Sequence, residues 1–276
     1  MKVYKPENLS EVLNLLSELP DKKLLLAGGS DLNILIKLGK ISDEAIIFIN
    51  HLPELHGVDM CSTKLIIGAT TTISEISSSA IIKEYCPYLS DSLIDFASPP
   101  IANFATLAGN IANSSPTADT VPLLLVLEAK LVLKSITTTR TVPLSEFYTG
   151  YKKTVLRDDE LIIAIEIPLN FACKYQPQYI KIGSRTALTI AKVALAFVKY
   201  EDNFKIAAGS LNEYPRRLYN VEEYITLHSQ DLNDTDLMNA LKKDVTPISD
   251  FRSDKEYRLQ VCFNYLQKFI ESANTD

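Results

Sequence analysis

Two short glycine-bearing loops, each set just ahead of a helical pattern, constrain this chain more than any other feature. In the first, Ala27-Gly28-Gly29-Ser30-Asp31 follows the apolar run Lys23 to Ala27 and precedes Leu32, Leu35, Ile36 and Leu38 at helical spacing. In the second, Gly109-Asn110-Ile111-Ala112-Asn113-Ser114-Ser115-Pro116 leads through Asp119 and Thr120 to the apolar run that starts at Val121. The chain has 9 glycines, and Gly28, Gly29 and Gly109 all fall in these loops. A residue without Cβ lets the backbone approach an anion, and the unpaired N–H groups at a helix start then donate to it. Two such loops can grip the two phosphates of a dinucleotide from either side. A Gly-Gly turn before a helix also serves simply to turn the chain, so the loops alone leave both readings open.

The usual nucleotide motifs are missing: neither G-x-G-x-x-G after a strand nor G-x-x-x-x-G-K-[ST] occurs. A dinucleotide would therefore be held by something other than a Rossmann or P-loop unit. A Ser/His/Asp triad is hard to build from His51, His56 and His228. His51 and His56 flank an apparent turn, Leu52-Pro53-Glu54-Leu55, and read as surface residues. Cys61, Cys86, Cys173 and Cys262 include no C-x-x-C pair, so a zinc or iron–sulfur site is not expected on this chain, nor a metal site of any kind.

With 46% hydrophobic residues, 22% charged and a net charge of −6, the composition is that of a globular chain with a buried core. An acidic balance without a basic block argues against nucleic acid as a partner. The most apolar stretch, Val121 to Leu133, is interrupted by Glu128 and Lys130 and is too short for a membrane span. No apolar segment follows Met1 to Pro6, so a cytoplasmic location is the expectation.

Along the chain, Asn8 and Glu11 look like a capping box ahead of Leu9, Val12, Leu13, Leu16 and Leu19, a helix stopped by Pro20. Strands are expected at Lys23 to Ala27, Ala45 to Ile49, Lys64 to Ala69, Lys130 to Ser135 and Glu160 to Ile167. Thr72 or Ser74 can cap a short helix, and Leu89 to Ala97 reads as a helix ended by Pro99-Pro100. Asp119 or Thr120 is placed to cap the helix that begins at Val121-Pro122. Beyond a polar stretch, Asn170 to Gln178, come strands at Tyr179 to Gly183, Lys192 to Tyr200 and Phe204 to Ser210, the last two joined by a turn at Glu201-Asp202-Asn203. The remainder reads as helical, with Tyr257, Val261, Tyr265 and Leu266 on one face of the last helix, and a domain boundary is expected near Pro177.

These residues resemble a known family, the FAD-binding medium subunits of molybdenum hydroxylases of the xanthine dehydrogenase and carbon monoxide dehydrogenase type. Leu24 to Leu32 resembles the family's first flavin loop, and Ile101 to Pro116, with Asp119 and Pro122, follows its second nearly throughout. Gly68-Ala69-Thr70-Thr71-Thr72, Lys181-x-Gly183-x-Arg185, Ile190-Ala191-x-Val193, Asp250-x-Arg252 and Tyr257-Arg258 look like further landmarks, so the resemblance spans almost the whole chain in order.

The resemblance implies an α+β fold: a two-subdomain FAD-binding domain of the vanillyl-alcohol-oxidase type over residues 1–175, divided near residue 55, and a small sheet-and-helices domain over residues 176–276. It further implies that Leu26, Ala27, Gly28, Gly29, Ser30, Asp31 and Leu32, together with Thr106, Leu107, Ala108, Gly109 and Asn110, supply donors to the FAD pyrophosphate, with Asn113 along the same wall. Asp119 matches an acid that contacts the ribityl region, and Phe96 an aromatic beside the cofactor. Ile162 and Lys181 match positions flanking the flavin, where a cation favours the reduced, anionic ring.

Two departures stand out. Ala108 replaces the usual glycine before Gly109, and Thr189 stands where many relatives carry Asp. The function implied is an oxidoreductase subunit with no catalytic residue of its own. It passes electrons from a [2Fe-2S] small subunit, fed by a molybdopterin-binding large subunit, through FAD to an acceptor such as NAD+. A stand-alone flavoenzyme on the same fold and an assembly subunit with vestigial flavin loops are the alternatives.

Overall fold

The computed structural model describes all residues except 1, 21, 43, 170–176, 186, 187, 202, 229, 230 and 274–276. The expected domain boundary at residue 175, Cys173, most of the polar stretch from Asn170 and the centre of the turn at Asp202 lie outside the described residues.

The chain opens with a parallel sheet of order β1-β3-β2, made of β1 (Lys2–Tyr4), β2 (Lys23–Leu26) and β3 (Ala45–Phe48). Helix α1 (Leu9–Glu18) crosses from β1 to β2 and buries Val12, Leu13 and Leu16. Asn8 caps it by accepting from the Glu11 N–H, but the Glu11 carboxylate accepts from the Glu7 N–H and the Asn8 side chain, so the box is not reciprocal. Helix α2 (Leu32–Lys37), which follows the first glycine loop, buries none of its residues. Val12, Leu13 and Leu16 pack with Ile47, Ile49, Leu52 and Leu55 in a small core that also takes in Leu161 from a later strand. His51 and His56 are exposed; His51 shares a hydrogen bond with the Pro6 carbonyl and His56 pairs with Glu75.

The second layer is a five-stranded antiparallel sheet of order β4-β5-β10-β6-β7. Its strands are β4 (Val58–Cys61), β5 (Lys64–Gly68), β6 (Lys130–Lys134), β7 (Thr139–Pro143) and β10 (Leu161–Pro168), with a small hairpin, β8 (Tyr148–Gly150) and β9 (Lys153–Thr154), between β7 and β10. A series of one- to two-turn helices covers it: α3 (Ile73–Ser78), α4 (Ala80–Tyr85), α5 (Pro87–Ser92), α6 (Pro99–Ala102), α7 (Leu107–Ala112) and α8 (Val121–Val126). Thr72 and Glu75 form a full capping box at α3.

The helix expected over Leu89 to Ala97 is displaced towards the N-terminus, and Pro99 and Pro100 start a helix instead of ending one. A proline in the first turn lacks only an N–H that has no intrahelical partner anyway. All six residues of α8 are buried, and neither Asp119 nor Thr120 caps it: the Thr120 hydroxyl donates to Asn110 Oδ1 at 2.7 Å, and Asp119 is engaged elsewhere.

The third sheet is antiparallel, β11 (Gln178–Ile182), β12 (Val193–Tyr200), β13 (Asn203–Gly209) and β14 (Arg216–Arg217) in order. Alternation along β12 and β13 sends residues to two cores. Ala196, Val198 and Ala207 join the core around α8, whereas Val193, Leu195, Phe197, Phe204 and Ile206 face three helices, α9 (Tyr219–Leu227), α10 (Asp234–Asp244) and α11 (Lys255–Ala273). The smaller side chains toward α8 let helix and sheet approach closely, and Glu128 ties the two parts by accepting from Lys205 (2.5 Å) and Arg217 (2.8 Å).

The buried face of α11 is Arg258, Cys262, Phe263, Leu266, Phe269 and Ile270, so the expected stripe is rotated: Leu266 is inside, but Tyr257 is 45% exposed. The rotation follows from Arg258, whose guanidinium donates to the Ser210 carbonyl (2.9 Å) and to Asp250 (2.7 Å) and so pins that edge of the helix inward. Among the described residues no helix is long and apolar enough to cross a membrane.

Candidate cofactor site

The two glycine loops meet in one cavity. It has a volume of about 660 Å³, within the roughly 300–1,000 Å³ of small-molecule and cofactor sites. Leu26, Ala27, Gly28, Gly29, Ser30, Asp31 and Leu32 line one side; Thr106, Ala108, Gly109, Asn110 and Asn113 line the other; Phe96 and Ile162 also face it. A bulge in β10 between Ile162 and Ala164 shifts the register against β6 beside this wall.

The loops touch each other directly. A Cβ on Gly28 would lie 1.5 Å from the Phe104 carbonyl oxygen, so Gly28 lets the first loop rest on the backbone that leads into the second. Gly29 supplies a left-handed φ of +71°. Beyond them the N–H groups of Gly28, Gly29, Ser30, Asp31 and Leu32 find no acceptor among the described residues, and the Asp31 side chain makes no capping bond.

The second loop is held more firmly. Thr106 caps α7 by accepting from the Gly109 N–H at 3.1 Å, and the Leu107 N–H donates to the Thr71 carbonyl. Leu107 is fully buried and points away from the cavity, unlike its neighbours. Ala108 is buried too, and its N–H has no acceptor among the described residues. A run of N–H donors without internal acceptors beside a cavity is what an anionic diphosphate requires. The residues present therefore fit the cofactor implied by the sequence.

Asp119 and Lys181 lie outside the cavity lining. Lys181 Nζ donates to Asp119 Oδ2 at 2.7 Å and to the Asp95 carbonyl at 3.0 Å, one residue from Phe96. The pair thus joins the segment next to Phe96 to β11. Burial pushes the Asp119 carboxyl above its ordinary range, against the pull of Lys181. Asp119 Oδ1 and the Tyr179 hydroxyl are buried with no hydrogen-bond partner among the described residues. Thr189, the other departure, accepts from the Ser184 N–H at 3.1 Å and packs against Gly183, serving the loop itself.

Several cavity residues carry no sequence signal as isolated letters. Glu160 lines the cavity and is clamped by Arg140 through two bonds of 2.7 Å, which hold its carboxyl below the ordinary range. Arg157 and Asp158 sit on the rim. Lys152, at the turn of the β8–β9 hairpin, reaches the Asn113 carbonyl (2.6 Å) and Oδ1 (2.9 Å). In the sequence, Ile162, through its match to a position flanking the flavin, is what links this segment to the site. No group of His, Cys, Asp or Glu among the described residues could hold a metal ion.

Comparison with known proteins agrees with this geometry. Residues 1–170 match the family described as the FAD binding domain in molybdopterin dehydrogenase, and residues 178–273 match the CO dehydrogenase flavoprotein C-terminal domain. The xanthine dehydrogenase FAD-binding subunit of Escherichia coli O157:H7 is 31% identical over 281 residues, covering 98% of this chain and 94% of that protein. The glyceraldehyde dehydrogenase medium chain of Sulfolobus acidocaldarius is 31% identical over 92% of each. Among solved structures, a chain of the carbon monoxide dehydrogenase from Hydrogenophaga pseudoflava superposes with a TM-score of 0.88 at 27% identity, covering 97% of this chain and 95% of that one. With both of its halves matched, the chain belongs to the FAD-binding subunits of the xanthine and carbon monoxide dehydrogenase type of molybdenum hydroxylase, and is an oxidoreductase component whose cofactor is FAD.

Proposed function

We propose that FAD lies in the cavity between the two glycine loops, with its diphosphate against the free N–H groups of residues 28–32 and the start of α7 and its ring toward Phe96 and Ile162. The observation that carries this reading is the run of five N–H groups without acceptors, facing a cavity of cofactor size. Residues 1–175 make up the FAD-binding domain, divided near residue 55, and residues 176–276 the C-terminal domain. Asp119 and Lys181, tied to the segment next to Phe96, act as a charge-balanced pair that supports the flavin end of the site.

Bound FAD supplies the redox chemistry; this chain binds it, orients it and excludes water from it. The chain works in a complex with a molybdopterin-binding large subunit and a [2Fe-2S] small subunit, receives electrons from the latter and delivers them to an acceptor such as NAD+, in the cytoplasm. The absorption spectrum of the purified protein incubated with FAD and freed of excess tests the site. Flavin bands retained near one equivalent in the wild type and lost in Gly109→Asp support it, and retention in the variant refutes it. Co-purification with chains that carry molybdenum and iron tests the complex.

A further inference from the structure

The cavity lining holds no excess of cations for an anionic ligand. Glu160 is already paired with Arg140, which leaves Asp31 and Asp158 against Lys23 and Arg157, and Lys23 is turned to the Leu19 carbonyl. A diphosphate brings two further negative charges, and peptide N–H groups offer only dipoles. Charges at a partly buried site are poorly screened, so a cation near both loops would favour the diphosphate.

Lys152 has that position. The left-handed φ of +56° at Lys152, in the turn of the β8–β9 hairpin, aims its side chain back over the second loop. Its ammonium makes two bonds to Asn113, which lines the cavity, and the Asp31 carboxylate of the first loop acts on it electrostatically. Lys152 is an exposed side chain just outside the cavity lining; partial desolvation weakens its hold on its proton and the Asp31 carboxylate strengthens it. An ammonium has three donors, and the Asn113 oxygens take two.

We propose that Lys152 is the cation that neutralises the FAD diphosphate, with its third donor directed to a phosphate oxygen and its bonds to Asn113 holding the hairpin across the site. This rests on the diphosphate lying between the two loops. On binding, the phosphate replaces Asp31 as the main anion facing Lys152, and Asp31 becomes an unfavourable neighbour of the cofactor.

Titration of the flavin-free full chain with FAD, followed by flavin fluorescence at low and high salt, tests the assignment. Lys152→Met is expected to raise the Kd about tenfold and to flatten its salt dependence. Lys152→Arg is expected to stay within about threefold of wild type. Asp31→Asn is expected to tighten binding by about threefold. A merely structural hairpin contact predicts loss at both positions, so the opposite signs of the Lys152 and Asp31 effects are the diagnostic. Lys152→Met within twofold of wild type, or Asp31→Asn binding more weakly than wild type, overturns the proposal. Gly28→Val separates the two readings. If it too leaves FAD affinity unchanged, the diphosphate does not lie on the loops at all; if it abolishes binding while Lys152→Met does nothing, only the Lys152 assignment falls.

Discussion

The two glycine loops look alike in sequence and are built differently. The second is finished by the protein itself: Thr106 caps its helix, Leu107, Ala108 and Ile111 are buried, and the Thr71 and Ala105 carbonyls tie it to the start of α3. The first is anchored only at Gly28. Its helix buries nothing, its cap position makes no side-chain bond, and its N–H groups are unmatched. Gly28, Gly29, Ser30 and Leu32 are half-buried and Asp31 is exposed, so these donors are open to water or to a ligand. The contrast makes the second loop part of the scaffold and leaves the first with donors that the protein itself does not match, which is where the proposed diphosphate would act.

The largest test of this contrast attacks the one contact that joins the loops. Gly28→Val is expected to lose FAD retention altogether and to cost about 3 kcal/mol of stability, since the Phe104 carbonyl already occupies the space; thermal melting and the visible spectrum together measure it. A variant that melts like the wild type and stays yellow would show that the loops do not depend on each other.

A second test probes the fixed side of the cavity through pH. The Glu160 carboxyl is held below its ordinary value of 4.5, chiefly by the hydrogen bonds from Arg140. A carboxyl whose pKa falls on folding adds stability that is complete above the unfolded value and is lost as the pH drops from 4.5 through the folded value. Urea unfolding should therefore show a decline below that pH in the wild type and a flatter acid limb in Glu160→Gln. The variant is also expected to lose about 2 kcal/mol at neutral pH.

Hydrogen exchange separates the loops directly. FAD is expected to slow exchange of the amides at residues 28–32 by about tenfold or more, and those at Gly109 and Asn110 by less than about twofold. Equal protection of both would erase the distinction. The smallest effect concerns the caps: Thr106→Ala is expected to destabilise the flavin-free chain by about 1 kcal/mol, whereas Asp31→Ala should change it by no more than about 0.5 kcal/mol, both read from the melting midpoint.

Much of this was legible in the residues. The alternation or apolar runs at Lys64, Lys130, Glu160 and Lys192 place strands within a residue or so of those observed, because side-chain period and burial are local signals. The loops announced themselves through glycine. What stayed hidden depends on long-range approach. Nothing near Lys152 indicates Asn113, 39 positions earlier, and nothing near Asp119 indicates that Lys181 rather than α8 takes its carboxylate. On the last helix Leu266 is in the core with Val261 and Tyr265 packed against it, but the inward edge also includes an arginine; burial of Arg258 is settled by Asp250 and two carbonyls, not by hydropathy. Gly28 reads as a position where the backbone approaches an anion; the close approach that the structure shows there is to the Phe104 backbone.

The small core around Ile47 and Leu55 is completed by Leu161, a residue contributed by the central strand of another sheet. The parallel layer is thus a tenant of its neighbour: its own core is incomplete without β10, so loosening of the five-stranded sheet at Leu161 is felt in α1 and the parallel strands as well, and the two layers share one fate on unfolding.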